Sequence, residues 1–485
     1  MLLSDTAAWA GQIFVDGWSV GGGGTRDVVE PATGNRIARC GNASVEDVFR
    51  ASTSAAEAQR SWAALPPEQR AAILRRAGSI IEENAAEIAQ WIIRESGSAS
   101  AKAEHETRSA AAECFDAAGL PSHPAGEVLT SNEDRWSFAR RRPAGVVSVI
   151  APFNVPLLLA MRSIAPALAL GNSVLLKPDP RTTMCGGVVL LRVFEEAGLP
   201  AGLLQLLPGG ADVGAAVVEA PEVRIISFTG STPAGRKIGE TAARLLKRAH
   251  LELGGNNALV VLPGADVPKA ASAGAFGTFN HQGQVCMSTG RHIVHESLYD
   301  EYVTALVEKA EKLSVGDPAA TSADLGPIID EGQLSRIDEI VRRAERAGGR
   351  IATGGTFDGL FYAPTVMVDI TRNNPAWREE VFGPVAPVLT FSSLDEAVDL
   401  VNDSEYGLSV GILGNVDDAM TLADRIDSGK IHINEQTVND ESNAPFGGTR
   451  ASGNGARFGG AGANIEAFTE TQWLTMRPTT APYPF

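Results

Sequence analysis

The chain has 485 residues, which is too long for one hydrophobic core and therefore predicts two or three domains. Hydrophobic residues make up 44% of the chain and charged residues 20%, proportions typical of a compact globular protein, so the composition argues against disorder. The formal net charge of -17 argues against a nucleic-acid partner or an anionic membrane surface, because those partners attract clustered Lys and Arg.

The N-terminal sequence MLLSDTAAWAGQIFVDGW has no basic segment followed by a continuous apolar one, so it predicts no secretory signal. The longest apolar stretch, residues 155–170, is interrupted by Arg162 and Pro166 and is too short to span a bilayer. We therefore expect a cytoplasmic protein with no membrane partner. The cysteines form no CxxC pair, which fits neither a disulfide scaffold nor a zinc site, so no metal is expected. By default each cysteine is a buried small hydrophobic residue.

The N-terminal third contains helical stretches around residues 44–59 and 67–94. Residues 121–142 look like an extended hairpin. From Gly145 onward, short β-rich runs alternate with helical stretches, which predicts a parallel sheet with helices on both faces. The predicted strands of this block are GVVSVIAP, SVLLKP, LLQLLP and RIISFTGS.

In a doubly wound sheet of this kind, ligands bind beyond the carboxyl ends of the strands. That rule places Asn154, Lys177 and the pair Gly230-Ser231 where a cofactor would lie. A second alternating block runs from NALVVL at residues 257–262 to KIHIN at residues 430–434, and it predicts a second α/β domain. The boundary between the two blocks falls near the sequence LELGG.

The tail from Ala467 contains the strand-like run ETQWLTM. Because a lone two-stranded ribbon is marginal in water, the tail and the hairpin at residues 121–142 are predicted to form a small sheet between subunits. The predicted fold is therefore α/β, with two doubly wound domains and a small β oligomerisation segment. We assign residues 1–120 and 143–251 to the first domain, residues 252–440 to the second, and residues 121–142 and 467–485 to the small segment.

Cys286 ends the sequence GQVC, where a glycine-marked turn could expose a thiolate nucleophile close to backbone N–H donors. A nucleophile needs a partner that activates it or the attacking water, and Glu252 in LELGG is a candidate base. Partial burial in that apolar strand would raise the pKa of Glu252 toward neutrality. The alternative for Glu252 is a carboxylate paired with a nearby Arg or Lys.

Asn154 in PFNVP could donate its amide to a developing oxyanion, or it could simply be the N-cap of the following helix. The chain has no GxGxxG sequence, since residues 209–214 lack the middle glycine. The stronger phosphate candidate is FTGSTPAG at residues 228–235, where a strand ends in Gly-Ser-Thr and a helix begins with Pro233. A capped helix without a ligand is the alternative there.

Together these segments resemble the aldehyde dehydrogenase superfamily over nearly the whole chain, with the motifs in the family's order. The resemblance implies that Cys286 attacks the aldehyde carbon, and that the Asn154 amide and the Cys286 N–H stabilise the thiohemiacetal oxyanion. Hydride transfer to a nicotinamide leaves a thioester, which Glu252 would hydrolyse by activating water. The same resemblance places the segment PFGG, residues 445–448, close to the substrate entrance.

For the first domain the resemblance implies an NAD(P) site. It places Lys177 on the adenosine ribose, Glu380 on the nicotinamide ribose and Phe382 near the nicotinamide ring. The other residues assigned to the cofactor site on this basis are Pro152, Phe153, Gly230, Ser231 and Gly235. One departure is that KPDP puts Pro180 where many NAD-preferring members carry an acidic residue. Arg181 could attract a 2′-phosphate and Asp179 could contact the ribose, so NAD is expected and NADP stays possible.

Within the family, APFNVPLLLAMRSIAPALALGN, LLKPDPRT and NHQGQVCMSTGRHIVHE are most similar to bacterial benzaldehyde and vanillin dehydrogenases, which implies an aromatic aldehyde substrate. Leu158 and Arg162 follow Asn154 at helical spacing and are predicted to border the substrate channel, with Val285 and Met287 beside the nucleophile. Arg162 could instead pair with a carboxylate at a domain or subunit contact.

Three other functions remain open from the sequence. A CoA-acylating relative would pass the thioester to coenzyme A, although such members often lack the glutamate present here as Glu252. An aliphatic semialdehyde dehydrogenase would share the chemistry with a different substrate. A thiol hydrolase would cleave esters without any nicotinamide. The resemblance also implies a homodimer or homotetramer.

Overall fold

The computed structural model of the protein describes residues 2–3 and 6–485. Residues 1, 4 and 5 of the predicted segment 1–120 lie outside the described residues. The described chain contains α-helices at Thr6–Trp9, Val45–Ala64, Pro67–Glu83, Ala85–Ser96, Ser100–Gly119, Pro156–Ala169, Val189–Glu196, Ala211–Glu219, Thr232–Arg244, Val267–Phe279, Tyr299–Lys312, Glu331–Arg346, Pro375–Arg378, Leu394–Asn402, Val416–Ala423 and Ala461–Phe468.

The first sheet has seven strands, of which the first five in spatial order are parallel and the last two are antiparallel additions at one edge. The strands in spatial order are Arg248–Glu252, Val223–Thr229, Val146–Ile150, Ser173–Lys177, Leu204–Leu206, Ile13–Phe14 and Trp18–Ser19. Val146–Ile150 and Ser173–Lys177 are buried along their whole length, as expected for strands covered by helices on both faces.

The second sheet also has seven strands, all parallel except the antiparallel edge strand Arg350–Thr353. In spatial order they are Arg350–Thr353, Thr365–Val368, Val385–Phe391, Thr289–His295, Asn257–Val261, Ser409–Leu413 and Lys430–Ile433. The predicted α/β fold with two parallel sheets is therefore confirmed.

A separate three-stranded antiparallel sheet is made by Thr469–Met476, Trp136–Pro143 and Gly126–Leu129. The predicted pairing of the C-terminal run with the hairpin is thus present. Short antiparallel pairs complete the described strands: Thr25–Val29 with Arg36–Gly41, Phe357–Asp358 with Phe361–Tyr362, and Tyr406–Gly407 with Thr449–Arg450.

Two local features differ from the sequence prediction. The helical stretch at residues 67–94 is two helices, because the Asn84 side chain donates to the Ile80 carbonyl at 2.8 Å and competes with continued helix. The strands Ile13–Phe14 and Trp18–Ser19 join the edge of the first sheet, where no strand was predicted. Within the described residues, no helix has both the length and the apolar character that a bilayer crossing requires.

The parallel strands of the first sheet end at one edge, and their carboxyl ends carry the chain into the site. Val146–Ile150 leads to Asn154, Ser173–Lys177 ends in the lysine itself, and Val223–Thr229 leads to Gly230 and Ser231. Arg248–Glu252 ends in the candidate base. The fold therefore brings together candidate site residues that are spread over about a hundred positions of the sequence.

Candidate active site

A cavity of about 580 Å³ lies at the carboxyl edge of the first sheet. Its lining includes Pro152, Phe153, Asn154, Lys177, Asp179, Gly230, Ser231, Cys286, Glu380 and Phe382. Of the residues that the sequence assigned to a cofactor, Gly235 is the exception. A Cβ on Gly235 would lie 2.3 Å from Leu253 Cδ2, so this glycine permits close helix packing and lies outside the cavity lining.

The helix Thr232–Arg244 begins at the wall of this cavity. Ser231 is its N-cap and makes no side-chain capping hydrogen bond, and Pro233 lies in the first turn. The first-turn N–H groups and the positive end of the helix dipole therefore remain available to an anionic group. A Cβ on Gly230 would lie 2.6 Å from Phe228 Cζ, so a larger residue in the turn before the helix would displace the Phe228 ring.

Asp179 and Arg181 form a compact ion pair in the cavity wall. The Arg181 Nε and Nη2 donate to Asp179 at 2.9 Å each, and Nη1 donates to Asp330 at 2.7 Å. The Arg181 guanidinium also stacks over the Phe153 ring, 4.2 Å from its centroid. Burial would raise the pKa of Asp179, but the Arg181 hydrogen bonds and charge hold that pKa below its usual value. Burial lowers the pKa of Lys177 beside them.

Glu380 lies opposite, where its Oε1 accepts a hydrogen bond from the Gly255 N–H at 2.8 Å. A Cβ on Gly254 would lie 2.2 Å from Glu380 Oε2, so the glycines of LELGG make room for this carboxyl. Burial raises the pKa of Glu380 to about 7. Phe382 meets the Phe153 ring edge-on, with 5.9 Å between ring centroids.

Cys286 lines a second cavity of about 260 Å³ as well as the first. The turn that presents it has three successive residues in the left-handed region, His281, Gln282 and Gly283, with φ values of 50°, 57° and 69°. The thiol is half-buried, whereas Cys40, Cys114 and Cys185 are buried. Burial raises the pKa of Cys286 to about 12, Lys430 opposes this shift, and Glu380, Glu252 and Asp440 add to it.

Asn154 is buried, and its Nδ2 donates to the backbone carbonyl of Gln284 at 2.8 Å. The N-cap of the helix Pro156–Ala169 is Val155, so the alternative that Asn154 caps this helix is wrong. Because an amide nitrogen carries two hydrogens, the contact with Gln284 leaves one N–H of Asn154 for another acceptor.

Glu252 is buried more completely than predicted, and neither of its carboxyl oxygens has a hydrogen-bond partner among the described residues. Burial raises its pKa well above the usual value, although Arg457, Arg162 and Lys430 act in the opposite direction. Among the described residues, no Arg or Lys therefore forms the direct ion pair with Glu252 that the alternative interpretation requires. An unpaired buried carboxyl of this kind is a common sign of a functional group.

The second cavity has a largely apolar wall that includes Leu158, Val285, Met287, Phe276, Phe446 and Val438. Arg162 lies behind this wall, where Nε contacts Glu113 at 3.0 Å and Nη2 contacts Asp440 at 2.5 Å. It lines an adjoining cavity of about 280 Å³ that shares Leu158 and Asp440 with the second cavity. Arg162 thus has the carboxylate partners of the alternative interpretation and also lies near the channel.

Sequence reasoning missed several charged residues of the site. Lys102 and Glu106 line the second cavity from the helix Ser100–Gly119, and their i, i+4 spacing among small residues was the available signal. Lys430 lies 4.3 Å from the Phe446 ring centroid, and its signal was a cation inside the apolar strand KIHIN. No group of His, Cys, Asp and Glu in the described part of the chain has a metal-binding arrangement.

Comparison with known proteins agrees with this geometry. The chain is 59% identical over 486 residues to vanillin dehydrogenase from an Amycolatopsis species, and the alignment spans 100% of both chains. It is 46% identical to a benzaldehyde dehydrogenase [NAD(+)] from Pseudomonas putida, over 98% of each chain. The predicted similarity to benzaldehyde and vanillin dehydrogenases is confirmed.

The structure is also similar to that of betaine aldehyde dehydrogenase from Staphylococcus aureus in complex with NAD+. The TM-score is 0.96 at 29% identity, covering 100% of this chain and 98% of the other. Residues 18–474 match the aldehyde dehydrogenase family. A match of that extent, together with the full-length relatives, places the chain in the aldehyde dehydrogenase family.

Proposed function

We propose that the protein oxidises an aromatic aldehyde to the carboxylic acid with NAD+, through a thioester on Cys286. The observation that carries this proposal is that Cys286 lines both cavities. A thiol between a large cavity that carries charged groups and a smaller, largely apolar one can hold a substrate carbon at their junction, with a cofactor on one side and an aromatic ring on the other.

The nucleophile is the Cys286 thiolate, which attacks the aldehyde carbon and forms a thiohemiacetal. Since burial raises the thiol pKa to about 12, only a small fraction is ionised near neutral pH in the ligand-free site. The nearby Lys430 ammonium favours the thiolate, whereas ionisation of Glu252 or Glu380 opposes it. In the ligand-free site, the protonated forms of both carboxyls therefore leave the thiolate more accessible than their ionised forms do.

The oxyanion of the thiohemiacetal accepts hydrogen bonds from the free N–H of the Asn154 amide and from the Cys286 backbone N–H. Buried donors of this kind stabilise developing charge strongly, because they are oriented in advance and shielded from water. The contact between Asn154 and the Gln284 carbonyl supports this role, since it ties the amide to the loop that carries Cys286.

The large cavity fits a dinucleotide: unused N–H groups follow Ser231, and the buried Lys177 and the partly buried Glu380 line the space. When bound, NAD+ supplies the hydride acceptor for the thiohemiacetal carbon. Lys177 and Glu380 would hold the two ribose groups, and the helix N-terminus at Ser231 would hold the pyrophosphate.

Arg181 supports NAD+ over NADP+. Its guanidinium already contacts the carboxylates of Asp179 and Asp330, so its charge is neutralised and is poorly available to a 2′-phosphate. The relative from Pseudomonas putida carries NAD(+) in its name. We expect kcat/KM to be higher with NAD+ than with NADP+, and a preference for NADP+ would contradict this part of the proposal.

Glu252 completes the cycle by taking a proton from the water that attacks the thioester. Its unpaired oxygens and raised pKa support a carboxyl that ionises only when water reaches it, since hydration lowers the pKa of a buried acid. Hydrolysis then releases the acid and restores the Cys286 thiol.

The substrate class is proposed from the cavity and from the relatives. The apolar wall around Phe446, Val285 and Met287 suits a planar ring, and two similar proteins are named for vanillin and benzaldehyde. The test is a spectrophotometric screen of aromatic and aliphatic aldehydes with both cofactors, with product analysis in the presence and absence of coenzyme A. Ester cleavage without reduced cofactor, or product formation only with coenzyme A, would contradict the proposal.

We further propose a homo-oligomer that forms through the three-stranded sheet. Its surface exposes large apolar side chains, namely Val128, Trp136, Trp473, Leu474 and Met476. Such a patch is unusual on a monomer and is typical of an interface. Light scattering of the purified protein tests the oligomer, and a monomer at micromolar concentration would contradict it.

The cysteines among the described residues are free thiols, and a reducing compartment keeps thiols in that state. On that ground we propose a cytoplasmic location.

A further inference from the structure

A buried ion pair lies on the helix Ser100–Gly119, beside the cavity that is proposed to hold the substrate. The Lys102 Nζ contacts Glu106 Oε2 at 2.6 Å, and the two side chains are 8% and 1% exposed. Burying two charges costs free energy that their mutual attraction does not always recover. The other hydrogen bonds that Lys102 and Glu106 make therefore indicate the structural role of the pair.

Each member of the pair makes a second contact, and both contacts fall on one short segment. The Lys102 Nζ donates to the backbone carbonyl of Asn154 at 2.7 Å. The other Glu106 oxygen, Oε1, accepts from the Leu157 N–H at 2.8 Å and from the Leu158 N–H at 3.4 Å. The pair thus holds the chain on both sides of residues 155 and 156.

This segment has no means of its own to fix the start of its helix. Val155 is the N-cap of Pro156–Ala169 and offers no side-chain capping bond, and Pro156 has no N–H. Glu106 supplies the missing cap from a different helix, with its negative charge at the positive end of the helix dipole. Lys102 fixes the peptide that carries the Asn154 side chain.

We propose that Lys102 and Glu106 are positioning residues that fix the Asn154 amide for the oxyanion. The Asn154 side chain is held at one end by Gln284 and its backbone at the other end by Lys102, so its direction is set by two independent contacts. This inference rests on the oxyanion role proposed for Asn154. A displacement of about 1 Å in such a group can cost on the order of a hundredfold in rate.

A double-mutant cycle in the full-length enzyme tests the inference. The variants are Lys102→Met, Asn154→Ala and their combination, and the readout is the first-turnover rate of reduced-cofactor formation at saturating benzaldehyde and NAD+. Asn154→Ala is expected to lower this rate by on the order of a hundredfold or more. Lys102→Met is expected to lower it by about tenfold or more in the wild-type background, and by less than about twofold when Asn154 is already Ala.

Equal losses in both backgrounds would overturn the inference, because a general structural effect adds to that of Asn154→Ala. A Lys102→Met loss confined to KM would also overturn it, since that result describes a substrate contact. A loss of about tenfold or less in Asn154→Ala alone would refute the oxyanion role and the inference with it. The Asn154→Ala variant alone decides this outcome. The proposed function is tested separately, by whether the wild-type enzyme oxidises aldehydes.

Two further variants serve as a substitute for Lys102→Met and as a matched control. If Lys102→Met does not fold, Glu106→Gln carries the same cycle, because it keeps an oxygen for the Leu157 N–H and removes the charge that holds Lys102. The matched control is Glu104→Gln on the same helix, whose partner Arg108 is 3.8 Å away and whose side chain is 61% exposed. The control is expected to stay within about twofold of the wild-type rate, as exposed pairs contribute little.

Discussion

Replacing Arg162 by Met separates the two interpretations of this residue. The side chain is 5% exposed and contacts Glu113, which is 2% exposed, and Asp440, which is 15% exposed. The guanidinium also lies 5.0 Å from the centroid of the Phe446 ring, which lines the proposed substrate cavity. Methionine retains much of the volume and removes the charge.

The loss of the cation leaves Glu113 buried without a partner. Removing one member of a buried ion pair costs about 3–5 kcal/mol, because the partner must either keep an uncompensated charge or take up a proton to lose it. Burial already raises the pKa of Glu113 while Arg162 opposes that shift, so the variant is expected to hold Glu113 protonated. By the scaling for domains of about 200 residues, the free-energy loss corresponds to a fall in Tm of about 6–20 °C.

Thermal unfolding followed by circular dichroism measures this fall, and Arg108→Met is the matched control. Arg108 pairs with Glu104 at 3.8 Å in an exposed setting, so its removal is expected to change stability by less than about 1 kcal/mol. A fall in Tm of less than about 2 °C for Arg162→Met would refute the argument from burial.

The same variant reports on the substrate. If Arg162 acts only through its carboxylates, kcat/KM for benzaldehyde and for 4-hydroxybenzaldehyde should change by the same factor at a temperature where the variant is folded. A selective loss for the hydroxylated aldehyde would show instead that Arg162 contacts the substrate.

The remaining predictions concern the reacting groups. Cys286→Ala should abolish aldehyde oxidation while leaving the fold intact by circular dichroism, and substantial turnover would refute the covalent route. Glu252→Gln should slow deacylation, so mass spectrometry should detect an acyl adduct on the enzyme, and normal turnover without an adduct would contradict the assignment of the base. Because the pKa of Glu380 is about 7, ionisation between pH 6 and 8 should strengthen its hydrogen bonding to a ribose hydroxyl and lower KM for NAD+ as the pH rises. In Glu380→Gln this pH dependence should disappear, and a profile identical to that of the wild type would show that another group titrates.

The sequence predicts the architecture well where local signals and burial agree. The runs VVSVI and SVLLK are continuous apolar stretches between turn residues, and both form fully buried central strands. The strand at residues 469–476 was likewise readable from its composition. The two-residue strands near Phe14 and Trp18 were not, because strands that short carry no periodicity and form only through pairing with the existing sheet edge.

The residues of the site likewise fall into those that the sequence predicts and those whose contacts only the folded chain creates. Cys286, Glu252 and Asn154 are marked by glycine turns and by polar groups in apolar runs, so their sequence stands out. The pairing of Lys102 with Glu106 is local, at i and i+4, but its contact with the Asn154 carbonyl joins positions that the sequence does not relate. The partners of Arg162, at positions 113 and 440, likewise come together only in the folded chain.

The charges around Cys286 lead to a final inference about its resting state. Burial raises the pKa of the thiol and of both neighbouring carboxyls, Glu252 and Glu380, so each favours its neutral form in the ligand-free site. Because an ionised carboxyl would raise the thiol pKa further, the three groups disfavour carrying negative charge at the same time. A thiol that is largely protonated is a poor nucleophile and oxidises slowly. Reactivity at Cys286 is therefore conditional on changes in charge and hydration that ligands bring into the two cavities, and the same burial that delays ionisation protects the sulfur between turnovers.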